Sequence, residues 1–489
     1  MEKQLTFPVV AIGRGTRRTG RAICVCMLVI ASSGCVPKPL GSRIDEAAVA
    51  FPGSWQATRE ARKGVDSDWL RKTGGASLGR LVGEALAANP DLKQAAARVE
   101  SAAAEARIAG AGRMPTLDAE GTARRAEQKF VGFPFGTPGV GVPGVLSNTF
   151  GVVLNAAWEV DVWGRMRSGQ QAALAELEAS QADFQAARVS LAAQVTKAWL
   201  ALAEANEQVR LAEEAVDARV QLAAAVRDRF ERAIVEDGGS AAQVRLTEAE
   251  IASSQADLAR RKQERDRAIR QLEILLGRYP SGNIVGAAKL PAAPAVPPAG
   301  LPSELLLRRP DIIAAERRLA AAGGRTRSAK LARFPSLRLS GSAGTTTDAL
   351  GDIANSDFGI WSLGGSLTQP LFEGGRIVGE IEFASARERQ AAAELQRTVL
   401  HAFGEVENAL SAEAFLRERE AATARAAELA RDAAIRAAEE FSAGTGDVLT
   451  MIETRQRDIL SAIQYATVRR LRLDQRVDLH LALGGGFTL

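Results

Sequence analysis

Two long stretches of the chain place apolar residues at alternating intervals of four and three. The first runs from Gly164 to about Ala233 and the second from Gly375 to Ala443, and neither contains proline. A 3.5-residue period is typical of the seam of a coiled coil. At about 1.5 Å per residue, helices of roughly 70 residues extend about 105 Å. The pattern therefore predicts two long helices, although a filamentous rod protein would show it too.

Each long helix is predicted to turn once and return as a shorter helix. The turns fall at 233–240 and 442–447, where glycine and polar residues collect. Apolar-periodic sequence then continues to the ends of the returning helices. These segments predict helical hairpins over 164–277 and 375–484.

Four shorter runs, two before each long helix, alternate apolar and polar residues. In the first, Leu117 lies on one face and Asp118 on the other. Alternation over about ten residues is what a transmembrane β-strand requires, with lipid on one face and water on the other. The runs predict β-hairpins at 116–159 and 336–369, with an ordinary half-buried soluble hairpin as the alternative.

Short motifs occur twice along the chain at a constant separation. Pro90 in A-N-P-D-L and Pro310 in R-R-P-D-I are 220 residues apart, and so are Pro115 in M-P-T-L and Pro335 in F-P-S-L. Motifs at the starts of the long helices are 211 residues apart, whereas the ends of the returning helices are 207 apart. The sequence therefore predicts an internal two-fold repeat, with four extra residues at or just after the first helical turn.

The two repeats, 79–278 and 302–484, make up most of the chain. Each is predicted to begin with a helix, at 79–113 and at 302–333, followed by its β-hairpin and its helical hairpin. The other predicted segments are a lipoprotein signal peptide at 1–34, an N-terminal extended or equatorial segment at 35–78, a linker at 279–301 and a C-terminal tail at 485–489.

The first residues have the layout of an export signal. Basic residues precede a ten-residue apolar run from Ala22 to Ala31, and Ser-Ser-Gly leads into Cys35. A run this short does not span a bilayer, which needs about 20 residues, and the alternative is a buried helix of the mature fold. The small residues before Cys35 resemble the lipobox of bacterial lipoproteins, with Ser32 where leucine is usual. Cys35 is therefore predicted to be acylated, with palmitate for example, and attached to lipid.

Removing the signal changes the charge and the cysteine count. Residues 1–34 hold five basic residues and one acidic residue, which leaves 57 of each sign in the mature chain. The pI of 9.1 is then no evidence for a nucleic-acid partner. Cys35 is the one remaining cysteine, and His401 and His480 are the only histidines. We therefore predict no disulfide, no metal site, no cofactor and no enzyme activity.

Four strands cannot close a barrel, since bacterial single-chain barrels begin at about eight strands. Open strand edges in lipid leave backbone N–H and C=O groups without partners. The missing strands must therefore come from other copies of the chain. We predict a mixed α and β membrane protein in which a symmetric ring of copies closes a transmembrane β-barrel, with four strands per chain, that continues as a coiled-coil tube of helices. A trimer would have twelve strands.

Several motifs resemble those of the TolC-like outer membrane efflux proteins, the outer-membrane factors of tripartite efflux pumps. Within this family they are most similar to the lipoprotein subfamily paired with resistance-nodulation-division (RND) pumps. The motifs are A-L-A-A-N-P-D-L-K-Q (85–94), R-M-P-T-L-D-A-E-G (113–121), W-E-V-D-V-W-G-R (158–165), L-L-L-R-R-P-D-I-I-A-A-E-R-R-L (305–319), Q-P-L-F-E-G-G-R (369–376) and F-S-A-G-T-G-D-V-L (441–449).

The resemblance implies a homotrimer in the cell outer membrane with a large periplasmic portion. Its implied fold is a twelve-stranded transmembrane β-barrel, with four strands per chain, continued by a long periplasmic α-helical coiled-coil barrel. Its implied partners are a periplasmic adaptor (membrane fusion protein), an inner-membrane RND pump and, through acylated Cys35, outer-membrane lipid. The implied function is a passive exit duct for drugs and other small molecules, closed at the periplasmic helix tips until the partners open it. A periplasmic coiled-coil structural or adaptor lipoprotein without a transmembrane barrel is the alternative.

Residues near the predicted tips are candidates for the gate and for docking. Rings of carboxylates in an oligomer favour cations in pores, and arginines beside them could lock the ring. The gate candidates are Asp228, Arg229, Glu231, Arg232, Glu439 and Glu440. The adaptor-docking candidates are Asp237, Gly238, Gly239, Ser240, Gly444, Thr445, Gly446 and Asp447. The alternatives are solvated helix faces for the first set and simple turn residues for the second.

Overall fold

A computed structural model describes residues 55–57, 68–129, 144–232, 240–300 and 302–486. The predicted signal peptide at 1–34, the lipid-attachment residue Cys35 and the docking candidates Asp237, Gly238 and Gly239 lie outside the described residues. Within the described ranges, no helix combines the length and the apolar character needed to cross a membrane.

Both repeats fold into the same sequence of elements. The first contains α1 (Trp69–Ala88), α2 (Pro90–Ala111), β1 (Thr116–Lys129), β2 (Gly144–Val160), α3 (Arg165–Glu231) and α4 (Ala241–Leu275). The second contains α5 (Pro302–Arg308), α6 (Pro310–Leu331), β3 (Ser336–Thr347), β4 (Gly359–Thr368), α7 (Arg376–Ser442) and α8 (Val448–Ala482). The paired long helices have equal lengths of 67 residues, and the returning helices of 35. The four extra residues of the first repeat therefore lie between α3 and α4, at 232–240, against 443–447 in the second.

Prolines begin the helices that precede each β-hairpin. The side chain of Asn89 caps α2 by accepting two backbone N–H groups, and Pro90 takes the first helical position, where its missing N–H costs nothing. The predicted single helices over 79–113 and 302–333 are wrong, because α1 ends before Pro90 and α5 ends before Pro310. Inside a helix, the proline ring would clash with the carbonyl four residues earlier.

The first helix begins earlier than predicted. Residues 69–78, expected to belong to an extended segment, form the first half of α1. Trp69, Leu70 and Leu78 are almost fully buried, and Gly75 has a left-handed φ of 63° that kinks the helix. Gly74 and Gly75 are poor helix formers, so burial of Trp69 and Leu70 stabilises this part of α1.

The seams of the long helices are buried. Leu191, Val195 and Leu202 of α3 belong to one apolar cluster with residues of α1, α4 and α8. Leu395 and Val399 of α7 belong to a second cluster with residues of α6 and α8. Because α8 contributes to both clusters, it joins the two repeats.

Candidate functional site

One face of the sheet is predominantly apolar, apart from Arg125, Glu127 and Lys129 near the end of β1. The strands are antiparallel in the order β1-β2-β3-β4, and their register aligns Leu117, Ala156, Gly341 and Leu363 in one row. Trp361 and Leu363 are 81% and 82% exposed. A large exposed apolar surface of this kind marks contact with a membrane or another protein.

The opposite face of the sheet is predominantly polar. Asp118, Asn155, Ser342 and Ser362 form the row next to the apolar one. The hydroxyls of Ser342 and Ser362 are 2.7 Å apart, at hydrogen-bond distance. The predicted alternation therefore places an apolar surface and a polar surface back to back.

The two outer strands have one partner each within the described ranges. β1 pairs with β2 alone and β4 with β3 alone. Each outer edge thus presents a row of backbone N–H and C=O groups that can pair with another strand. These edges are where further strands would extend the sheet.

The turn between α7 and α8 is closed by backbone hydrogen bonds. The N–H groups of Thr445 and Gly446 both donate to the carbonyl of Glu440 at 3.0 Å. Gly444 has a φ of 80°, a left-handed conformation that favours glycine. The Asp447 carboxylate caps α8 by accepting backbone N–H groups of its first turn. The four docking candidates of this tip therefore form one tightly hydrogen-bonded turn.

The first helical tip has a different capping residue. Ser240 accepts the backbone N–H of Gln243, and the Gln243 side chain accepts the backbone N–H of Ser240, a capping box. Ser240 is the one docking candidate of this tip within the described part of the chain. A partner that binds both tips would meet two different surfaces, because the connections also differ in length.

The two helical hairpins meet near their tips at Phe441. Its side chain is buried in an apolar cluster with Leu222 and Val226 of α3 and Val448 of α8. The Arg229 guanidinium lies 3.8 Å from the centre of the Phe441 ring and also donates to the Phe441 carbonyl. One side chain of α3 therefore holds both the ring and the backbone of α7.

The gate candidates do not form a cluster within one chain. Asp228 pairs with Arg232 one turn along α3 at 3.0 Å, while Glu231, Glu439 and Glu440 are exposed. Arg229 contacts Phe441 and not a carboxylate of the candidate gate. Among the described residues, no group of three or more His, Cys, Asp or Glu side chains is placed to hold a metal ion.

Replacing Arg229 by alanine is expected to loosen the tip. The variant loses a cation–π contact and a charged hydrogen bond, together about 2 kcal/mol of local stability. Amide hydrogen exchange around Phe441 should therefore be roughly 30-fold faster. The control is Arg232→Ala, since an exposed pair within one helix contributes about 0.5 kcal/mol or less. Equal exchange in the two variants would contradict the role assigned to Arg229.

Buried charges join α3 to α8 nearer the middle of the helices. Glu204 of α3 accepts the Thr467 hydroxyl at 2.6 Å and pairs with Arg470. Arg470 also pairs with Asp474 one turn along α8. Burial raises the pKa of Asp474 to about 6, against the opposing attraction of Arg470 and Lys197. Asp474 is therefore partly protonated in mildly acidic solution.

Asp474→Asn is expected to stabilise the folded protein at neutral pH. The folded state binds the proton of the Asp474 carboxyl more tightly than the unfolded state does. Above about pH 6 the charged carboxylate therefore lowers the free energy of unfolding, by about 3 kcal/mol at most. The penalty falls as pH drops from about 6 to about 4 and disappears below that, where the unfolded state is protonated as well. Denaturant unfolding should thus show a more stable variant at pH 7.5 and little difference near pH 4.

Asp478→Asn is the matched control for this measurement. Asp478 lies one turn further along α8, is part-exposed and pairs with Lys197, so its loss should cost about 1 kcal/mol or less. An Asp474→Asn protein that is less stable than wild type at pH 7.5 would show that the Arg470 ion pair outweighs the cost of burial.

Known proteins share this architecture and this sequence pattern. The family model described as outer membrane efflux protein matches residues 81–278 and 301–485. Outer membrane protein OprJ of Pseudomonas aeruginosa is 30% identical over 487 residues, covering 96% of this chain and 97% of OprJ. Cation efflux system protein CusC of Escherichia coli is 28% identical over 416 residues, 83% of this chain and 86% of CusC.

A solved structure matches the fold over almost its whole length. The outer-membrane channel OprN superposes with a TM-score of 0.80 at 29% identity, covering 89% of this chain and 97% of OprN. The resemblance inferred from the repeated motifs is thereby confirmed, and this chain belongs to the outer membrane efflux protein family.

Proposed function

We propose that this chain is the outer-membrane channel component of a tripartite efflux pump. It provides a passive exit duct for small molecules from the periplasm to the exterior. The observation that carries the proposal is the sheet, whose exposed apolar face suits lipid and whose polar face suits a water-filled lumen. The efflux and channel names of CusC and OprN support it.

The functional unit of this proposal is a homotrimer. The open edges of β1 and β4 pair between neighbouring protomers, which closes a twelve-stranded β-barrel and leaves no edge in lipid. The long helical hairpins continue the barrel as a tube across the periplasm. Acylated Cys35 adds a lipid anchor on each protomer.

The helical tips are the proposed gate and docking site. Asp228, Glu231, Glu439 and Glu440 would surround the pore in the trimer, with Arg229 holding the two hairpins together in the closed state. A periplasmic adaptor and an inner-membrane RND pump engage the turns at 237–240 and 444–447. Channel opening then requires the contacts at the tips to separate.

Gel mobility and bilayer conductance test this function. Unheated detergent extracts of the outer membrane should run at about three times the chain mass and collapse to the monomer on boiling. The purified trimer should also give discrete conductance steps in a planar bilayer. A protein that leaves the membrane without detergent and conducts no current would instead be the periplasmic structural or adaptor lipoprotein.

A further inference from the structure

The helices beside the sheet pack in the same order as the strands that they adjoin. α2 contacts α3, α3 contacts α6 and α6 contacts α7, and these helices adjoin β1, β2, β3 and β4 in turn. The repeat relates α2 to α6 by 220 residues and α3 to α7 by 211. The repeat counterpart of the α3–α6 contact therefore joins α7 to α2, the helices at opposite ends of this row.

One ion pair joins α3 to α6, and the equivalent positions in the other repeat, on α7 and α2, are also charged. Arg325 of α6 pairs with Glu176 of α3 at 3.0 Å. Arg325 corresponds to Glu105 of α2, 220 residues earlier, and Glu176 corresponds to Arg387 of α7, 211 residues later. The counterparts are again oppositely charged, with the signs exchanged between the helices.

The second ion pair also has a complementary counterpart. Arg318 of α6 pairs with Asp183 of α3, and the offsets lead to Arg98 of α2 and Glu394 of α7. Arg98, Glu105, Arg387 and Glu394 are all exposed in the single chain. Their side chains are thus accessible to a second copy of this chain.

We propose that these four residues form the seam between protomers: Glu105 and Arg98 of one protomer pair with Arg387 and Glu394 of its neighbour. The inference rests on the proposed trimer and specifies which surfaces meet in it. A third ion pair, Arg317 with Glu178, corresponds to Ala97 and Arg389, so Arg389 would have no acidic partner at that position. The seam therefore contains two of the three pairs.

An apolar pair with larger side chains lies at the same level of this seam, which must be wider there than the in-chain contact. A Cβ added at Gly324 of α6 would lie 3.0 Å from the Cβ of Ala172 of α3, so the two helices approach closely. The counterparts are Ala104 of α2 and Phe383 of α7. Phe383 is 64% exposed, whereas Ala172 is 2% exposed. In the seam, the Phe383 ring would cover Ala104 and leave water.

The exchanged signs of the Glu105–Arg387 pair contribute to the specificity of the seam, whereas the Arg98–Glu394 pair keeps the signs of its in-chain counterpart. If α7 met the α6 helix of a neighbour, Arg387 would face Arg325 instead of Glu105. Like charges at one site disfavour that arrangement, which is how interfaces reject wrong partners. The seam therefore selects the first repeat of the next protomer, so that the repeats alternate around the assembly.

The same offsets fix the strand register across the seam. Leu154 of β2 faces Ala343 of β3, and Asn155 faces Ser342. Their counterparts place Gly365 of β4 opposite Ala123 of β1, and Ser366 opposite Thr122. The first pair continues the apolar face and the second continues the polar face. Further along β1, the same register places Arg125 opposite Leu363 and Glu127 opposite Trp361.

A cysteine pair at Ala104 and Phe383 tests the seam directly. After oxidation of the membranes, Ala104→Cys/Phe383→Cys protein should run as dimers and trimers on boiled, non-reducing gels, and each single variant as a monomer. The matched control is Ala172→Cys/Gly324→Cys, which places both cysteines at the in-chain counterpart of the seam and should stay monomeric. The proposed seam is overturned if the Ala104→Cys/Phe383→Cys protein runs as a monomer on the boiled gel although its unheated sample runs as a trimer. An absent wild-type trimer would overturn the proposed assembly itself.

Charge reversal gives an independent test if the cysteine variant does not assemble. Glu105→Arg and Arg387→Glu should each lower the temperature at which the wild-type trimer dissociates on unheated gels. The double variant restores the opposite charges and should recover most of that loss. A double variant no more stable than the single ones would overturn the Glu105–Arg387 pair while leaving the trimer intact.

Discussion

Replacing Leu363 by arginine is expected to remove the assembled protein from the outer membrane. Leu363 lies in the middle of β4 on the exposed apolar face, in the row of Leu117, Ala156 and Gly341. An arginine on the lipid face costs about 2–4 kcal/mol near the bilayer centre, and the proposed trimer would contain three such residues. The heat-sensitive trimer band and drug export should both fall to the level of a strain without the channel.

Ser362→Arg is the matched control, one residue away on the opposite face. It removes the hydroxyl contact with Ser342, worth about 1 kcal/mol, but leaves the charge in a water-filled lumen. Most of the protein should therefore still assemble. Equal trimer amounts for Leu363→Arg and Ser362→Arg would mean that neither face contacts lipid, and the proposed channel would lose its main support.

Period-two alternation carried enough information to predict the faces of the sheet. Successive side chains of a strand point to opposite faces, so Leu117 and Asp118 are separated whatever the rest of the chain does. Antiparallel pairing then aligns like with like across β1 to β4. The strands could thus be predicted because local geometry alone decides which side each residue takes.

The ends and breaks of the helices were harder to predict. The segment at 69–78 contains a glycine with left-handed φ, and its helix is stabilised by burial of Trp69 and Leu70 against distant parts of the chain. Helix propensity is a weak guide where tertiary packing decides. The prediction of one helix over 79–113 included the second half of α1 but missed the interruption before Pro90.

The tip contact shows why the candidate site was only partly predicted. Phe230 and Phe441 occupy equivalent positions in the two repeats, 211 residues apart. Phe441 is buried between the two hairpins and covered by Arg229, whereas Phe230 is 44% exposed. The sequence alone cannot show which of the two rings is buried. Phe441 packs against a helical hairpin of the same chain, whereas the equivalent neighbour of Phe230 would belong to another protomer of the proposed trimer.

Bulky substitutions at the second tip are expected to abolish export without dissociating the trimer. Gly444 has a left-handed φ and open space around it, so Gly444→Trp projects a large side chain from the turn, with about 1–2 kcal/mol of backbone strain. A Cβ at Gly446 would lie 2.7 Å from the Phe441 backbone nitrogen, so Gly446→Val forces the turn itself to shift. Both changes alter the proposed docking surface, and neither touches the sheet.

Drug susceptibility and trimer amount must be measured together in these variants. Both Gly444→Trp and Gly446→Val should make cells as drug-sensitive as a strain without the channel, with a normal trimer band. Gly351→Trp is the control, because Gly351 lies between β3 and β4 with equally open space and should leave export intact. Normal export by Gly444→Trp would exclude this turn as a docking surface, since a partner seated on it would meet an indole ring three times in every trimer.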